Sequence, residues 1–274
     1  FTAKIIFFLR SCKVHSEILL SHSSADSNSV TLSYKLPAPA WSCSWDRNNS
    51  FYTYTGLQNG FVLVFDLRQT SGPVESHSGI NTNPVHTIHS IKNDPTLPSG
   101  VRSVLSASSS AFCHWNFDDS SKKPSLVHET PAQQVCISLA CSRTTTEIVA
   151  TYRPRADYSD DMASSQPVST GLSRGIQGFH RHIRLLEGSY KQLGDTCCCV
   201  SDVRLPPSVI IERRNQNSVF ASGDEMTRGL LLRELPSFDK FQLLKPHQHY
   251  ICDVKYGYGF LCSLSENRLQ IYRS

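Results

Sequence analysis

Short apolar runs alternate with turn residues along the whole chain, and no stretch carries the spacing of an amphipathic helix. The run from Pro39 to Asp66 is the clearest. Ala40-Trp41-Ser42-Cys43-Ser44-Trp45 alternates as a half-buried strand does, and Asp46-Arg47-Asn48-Asn49-Ser50 reads as a turn. Phe51-Tyr52-Thr53-Tyr54-Thr55 follows, rich in the aromatic and β-branched residues that suit a pleated surface. Gly56-Leu57-Gln58-Asn59-Gly60 turns the chain back, because Asn-Gly supplies the positive φ angles of a tight hairpin. Phe61-Val62-Leu63-Val64-Phe65 is then a fully apolar strand closed by Asp66. The pattern predicts three antiparallel strands joined by two hairpins.

That meander recurs. Strand starts comparable to Pro39 fall at Pro84, Ala132, Pro206 and His249, roughly 45 residues apart except for one longer interval. Such a period is the signature of a WD-repeat β-propeller, whose blades are four-stranded sheets. The longer interval holds a polar stretch from Arg153 to about Gly178, dense in Ser, Asp, Arg and Gly, which predicts a mobile insertion near 153–178. Third strands end at Tyr34, Phe65, Trp115, Arg233 and Tyr272, where an aromatic or its stand-in packs between neighbouring sheets. Phe65-Asp66 stands where a Trp-Asp pair belongs, whereas Trp45-Asp46 ends a first strand and is not the repeat signature. The expected fold class is all-β: an incomplete WD-repeat β-propeller with about five to six blades represented and the terminal ones partial. Residues 1–16 form a separate N-terminal segment with one candidate strand, Lys4–Leu9, and 17–274 form the propeller. The last strand, Leu269–Tyr272, leaves its blade one outer strand short. Either Lys4–Leu9 completes it or further blades lie upstream; the second is favoured, since position 1 is Phe and the chain reads as a piece of something longer.

Composition narrows the function classes. With 39% hydrophobic and 18% charged residues the profile is that of a globular domain. A net charge of +4 is too mild and diffuse for a nucleic-acid groove, so no direct nucleic-acid partner is expected. The apolar run Ile5–Leu9 ends at Arg10, far short of the roughly 20 residues a spanning helix needs, and no membrane partner is expected either. The 10 cysteines show no framework spacing and read as thiols in a reducing nucleus or cytoplasm.

Candidate chemistry is sparse. Neighbours on a strand face opposite ways, so Cys197-Cys198-Cys199 cannot converge on one tetrahedral metal; His180, His182 and Cys199 would make a site only if the fold gathered them. His86 and His89 fall on opposite faces of a strand, and His247 and His249 read as solvated surface before Tyr250. No nucleophile elbow, phosphate loop or metalloprotease helix occurs, so neither catalytic residue, metal nor cofactor is assigned. Arg181, His182 and Arg184 are candidates for steering an acidic partner, or else a solvated loop face. Propellers bind through the loops at blade ends, where Trp, Tyr and Arg make the strongest contacts. Hairpin position therefore selects Trp41, Asn59, Tyr152, Arg153, Arg228, Tyr250 and Arg268 as partner-binding residues.

Five segments carry a family resemblance: Pro39-Ala-Trp-Ser-Cys-Ser-Trp45, Tyr54-Thr-Gly-Leu-Gln-Asn-Gly60 leading into Val62-Leu-Val-Phe-Asp66, Ile148-Val-Ala-Thr-Tyr-Arg-Pro154, Ala221-Ser-Gly-Asp-Glu225 and Leu269-Gln-Ile-Tyr272. Through them the chain resembles the C-terminal WD-repeat region of the RING-finger and WD-repeat-domain E3 ubiquitin ligases of DNA repair, from about Glu17 to the end, strongly near Trp41 and patchily between Ser71 and Val135. The resemblance implies a nuclear ligase of the DNA damage response and interstrand-crosslink repair. It also implies a propeller that docks onto replication protein A, and a zinc-binding RING that recruits the ubiquitin-conjugating enzyme. This chain holds no paired Cys-x-x-Cys groups, so zinc is expected only in a RING outside it, and no ligase catalytic residue carries over. A WD-repeat scaffold of a non-ubiquitin assembly is the alternative, and a cysteine- or zinc-dependent enzyme built on residues 153–199 a third reading.

Overall fold

Wherever apolar and polar residues alternate between turn signals, the chain forms strands. The computed structural model describes residues 4–8, 17–24, 27–92, 97–98, 100–119, 123–143, 147–155, 175–186, 189–213 and 216–273, with backbone alone up to residue 32. Among these residues there are 22 strands and no helix.

Two units divide the chain, Phe1–Glu129 and Thr130–Ser274. In the first, β1 (Lys4–Phe8), β2 (Glu17–Ser24) and β3 (Ser27–Lys35) make a three-stranded sheet. Next come β4 (Ala40–Trp45), β5 (Tyr52–Leu57), β6 (Phe61–Asp66) and β7 (Glu75–Ser78), then β8 (Thr87–Ser90), β9 (Ser103–Ala107), β10 (Ala111–Asn116) and β11 (Ser125–Glu129), each set a four-stranded meander. The second unit repeats the plan. Its sheets are β12 (Gln134–Cys141), β13 (Glu147–Pro154), β14 (Gly175–Leu186) and β15 (Ser189–Ser201); β16 (Ser208–Ile211), β17 (Val219–Gly223), β18 (Leu230–Glu234) and β19 (Asp239–Leu243); and the three-stranded β20 (Ile251–Gly257), β21 (Phe260–Ser265) and β22 (Leu269–Arg273). All neighbours are antiparallel and follow chain order, as the recurring hairpins predicted.

Inner strands meet inner strands. In the first unit β8 packs on β4, and the Ser42 hydroxyl donates to the Val85 carbonyl at 2.6 Å; in the second, β16 packs on both β12 and β20, with the Ser138 and Ser208 hydroxyls 2.8 Å apart. Three inner strands carry a bulge, between Ala40 and Ser42, Cys136 and Ser138, and Ile251 and Asp253. The extra residue sharpens the local twist and re-aims side chains.

Sheet faces bury against one another. Tyr34 and Leu36 pack on Leu57, Leu63 and Phe65, with the Tyr34 and Phe65 rings 4.6 Å apart. The other face of that sheet, with Tyr54, Val62 and Val64, packs on Ile88, Val104 and Trp115. In the second unit Val219, Ala221, Leu230 and Leu232 meet Val254 and Leu261, with Tyr272 packed alongside. Arg233 stands in for an aromatic: buried, it donates to the Phe238 carbonyl at 3.1 Å and to the Cys197 carbonyl of the preceding sheet at 3.4 Å.

One boundary is corrected. The stretch expected to be a mobile insertion near 153–178 is strand at both ends, through Pro154 in β13 and from Gly175 in β14; residues 156–174 lie outside the described residues. The third strand hid from the hydropathy pattern because two of its buried positions are His180 and His182.

Candidate functional site

Antiparallel strands reverse direction at each step, so hairpins from second to third strand and connections from outer strand to next inner strand leave a meander at the same end. In the second unit that end carries Arg153 (end of β13), Arg204 (between β15 and β16), Glu225 and Arg228 (between β17 and β18), His247 to Tyr250 (between β19 and β20) and Arg268 (between β21 and β22).

Tyr250 is the centre of it. The Arg204 guanidinium lies 3.6 Å from the centroid of its ring and that of Arg228 lies 5.2 Å away. Both are cation–π distances, and such contacts hold a long flexible side chain in place. Arg204 also donates through Nη2 to Glu225 Oε2 at 2.7 Å. Burial raises the Glu225 carboxyl above its ordinary value while Arg204 pulls it back. Arg228 sits at φ 54, in the left-handed region a side chain seldom adopts, and donates through Nη1 to the Gln248 carbonyl at 2.8 Å. The hairpin is braced by Asp224, whose Oδ2 accepts from the Thr227 amide at 2.8 Å and hydroxyl at 2.7 Å.

His247 ties this hairpin to the last sheet. Its amide donates to the Arg228 carbonyl at 3.0 Å, and its buried ring lies between the Ser263 and Ser265 hydroxyls at 2.8 and 3.0 Å. Burial, with Arg268 adding to it, holds the imidazole below the usual histidine range. The expectation of a solvated His247 is thus corrected: the neighbouring sheet covers it.

The other expected residues fall as follows. Arg228 and Tyr250 come together. Arg153 is half-buried, donates through Nη1 to the Ser201 carbonyl at 3.0 Å, and is drawn below the usual arginine value by burial. Arg268 is exposed in the last hairpin. Tyr152 was expected at a loop surface but has 0% exposure; it stacks on Phe179 at 5.0 Å and belongs to the core. In the first unit, Trp41 is 45% exposed at the β4 bulge, and Asn59 is exposed beside Gly60, whose φ is 83. Arg204 and Glu225 were not selected from the sequence. Arg204 precedes the inner strand opened by Pro206 just as Tyr250 precedes β20, and that repeated register was the available signal.

The expected basic cluster is neutralised within its own sheet: Arg181 pairs with Asp195 at 3.4 Å, Arg184 pairs with Glu147, and His182 is fully buried. His180 does not approach Cys199 as a ligand partner; its ring is bonded by the Thr151 hydroxyl at 2.9 Å and faces the Ser222 hydroxyl at 3.4 Å, while Cys199 pairs with Gln177. Among the described residues no three His, Cys, Asp or Glu side chains gather to hold a metal ion. The described cysteines are free thiols, and burial pushes Cys136 and Cys198 up to about 12.

Repeated antiparallel meanders, inner strand against inner strand, with Arg- and Tyr-bearing loops gathered at one end, define a WD-repeat β-propeller. The family described as the E3 ubiquitin-protein ligase RFWD3 WD40 domain matches residues 16–273, and the chain belongs to it. Among proteins of that name, the one of Ailuropoda melanoleuca is 25% identical over 100% of this chain, the human one 23% and the mouse one 25% identical over 92% of it. The aligned part is 35%, 32% and 32% of those three proteins, so the chain spans about a third of their length.

Proposed function

We propose that this chain is the partner-docking propeller of an RFWD3-like RING-type E3 ubiquitin ligase that acts in the nucleus, in the DNA damage response and replication-fork and crosslink repair, and that replication protein A is the partner it holds. The family membership supports the ligase context. The observation that carries the docking role is the loop end of the second unit, where Tyr250 and two arginines from separate connections are held in fixed positions at the surface. Tyr and Arg are the residue types that dominate interface energetics, and side chains already ordered lose less freedom on binding.

The mechanism is positional. The propeller keeps its partner near a RING carried elsewhere in the ligase, and attack of the partner's lysine on a ubiquitin thioester gains from proximity. Zinc and the ubiquitin-conjugating enzyme belong to that RING. The purified chain is expected to retain replication protein A in a pull-down and to transfer no ubiquitin when given activating and conjugating enzymes. Failure to retain the partner, or ubiquitin transfer by this chain alone, overturns the proposal.

A further inference from the structure

The charges at the loop end are unevenly satisfied. Of its acidic groups, Glu225 pairs with Arg204 at 2.7 Å and Glu266 lies 3.5 Å from the His249 ring, while Asp224, which accepts from the Thr227 hydroxyl at 2.7 Å, keeps its charge and Asp202 acts through its charge on Arg153. Three of its arginines lack a direct ion pair. Arg228 and Arg153 each direct a guanidinium N–H to a backbone carbonyl, of Gln248 and of Ser201, and among the described residues neither these two nor Arg268 forms an ion pair with a carboxylate. A carbonyl engages one or two of the five N–H donors of a guanidinium and leaves its charge in place.

Arg228 is also pre-set. It is held by the Gln248 carbonyl and the Tyr250 ring, on a hairpin anchored through its own carbonyl to the His247 amide. Arg268 sits in the next hairpin, near enough that its charge opposes protonation of His247. A planar fork with free donors, already oriented, matches a carboxylate in two-point geometry. Nucleic acid would call for a longer basic stripe, and the chain's net charge is only +4.

We infer that the loop end built on Arg228, Tyr250 and Arg268 recognises an acidic peptide segment of the partner protein, with Arg228 as the primary carboxylate receptor and Arg204, locked on Glu225, positioning the Tyr250 ring. The inference rests on the docking reading above and adds the chemistry of the segment that docks.

The test uses the whole chain and a short fluorescent peptide alternating Glu and Ser, with its Gln counterpart as control, read by anisotropy at low and high salt. The Glu peptide binds and the Gln peptide does not; binding weakens with salt. Arg228→Glu weakens it at least about tenfold. Arg228→Lys, which keeps the charge but loses the fork, falls between. Lys240→Glu, the same charge change on the exposed strand β19, stays within about twofold of the parent. Equal binding of the Gln peptide, equal competition by a single-stranded oligonucleotide of matched charge, or equal losses from Arg228→Glu and Lys240→Glu each overturns the inference. The two proposals separate cleanly. A chain that retains replication protein A but ignores the Glu peptide removes this inference and leaves the docking reading standing; Arg228-dependent peptide binding without retention does the reverse.

Discussion

The Nε2 atom of His247 lies 2.8 Å from the Ser263 hydroxyl, and both groups are buried. The first belongs to a connection leaving one sheet and the second to the middle strand of the next, so the pair couples the two sheets at the end where Arg228, Tyr250 and Arg268 project.

Replacing His247 by alanine strands the buried Ser263 hydroxyl and leaves that of Ser265 only the Arg268 carbonyl, at 3.4 Å. An unsatisfied buried polar group costs about 1–3 kcal/mol, and a loss of that size is expected from urea unfolding. Because the His247 backbone amide remains, the Arg228 hairpin should stay in place, and partner retention near neutral pH should fall less than with Arg228→Glu.

Acid should destabilise the two units over different pH ranges, the second before the first. Burial, helped by the nearby Arg233 charge, holds His180 down to about 3, against 6.5 for a free histidine; His182 and His247 are lowered chiefly by burial as well. Each is neutral when folded and takes a proton when unfolded as pH drops below 6.5. Stability is therefore fully present above about pH 7 and declines from there toward pH 3, with a slope of up to about 1.4 kcal/mol per pH unit for each such histidine. In the first unit, Arg68 holds the Asp66 carboxyl at about 2, below the ordinary 3.8, so its contribution is lost only as pH falls below 3.8. Urea midpoints measured from pH 8 to 4 should show the decline set by the histidines, and a flat profile across that range would refute it.

Gly60 → Ala is expected to destabilise the first unit by about 2 kcal/mol or more. The residue sits at φ 83, and a Cβ there would lie 2.2 Å from the Asn81 carbonyl oxygen. A thermal or urea melt of the variant measures it; a change within about 0.5 kcal/mol would show that the turn can relax.

Thiol labelling should sort the cysteines by cover. Cys197 and Cys252 are exposed and should react readily in native buffer. Cys136 and Cys113 are buried, with thiols pushed up to about 12 and about 11, and should react only after denaturation, because the thiolate is the nucleophile. Mass mapping of a thiol reagent in native and denatured samples distinguishes the two groups.

Much of the fold was legible because short-range chemistry dictates it. Alternation from Ala40 to Trp45, the Asn59-Gly60 turn and the apolar run from Phe61 to Phe65 became β4, a hairpin with positive φ at Gly60, and β6. Hairpin position also brought Arg228 and Tyr250 forward. It misled at Tyr152, since the last residues of a strand are exposed or covered according to what the neighbouring strand brings, and here Phe179, its partner on β14, lies across the ring.

The sequence alone determined the repeating unit: where strands begin and turn is set by side chains within a few residues of one another, and the recurrence of that pattern specified an all-β meander. Only the stacking of sheets decided which polar residues are interior. His180, His247 and Arg233 are buried because residues of other strands, such as Ser222, Ser263 and the Cys197 carbonyl, hydrogen-bond with them there. The same stacking set Arg204 over Tyr250, a pairing of residues from two connections with a whole four-stranded sheet between them in sequence. Hydrophobic periodicity records which face of a strand avoids water, but a satisfied polar group in the core depends on distant geometry, and that is a tertiary property.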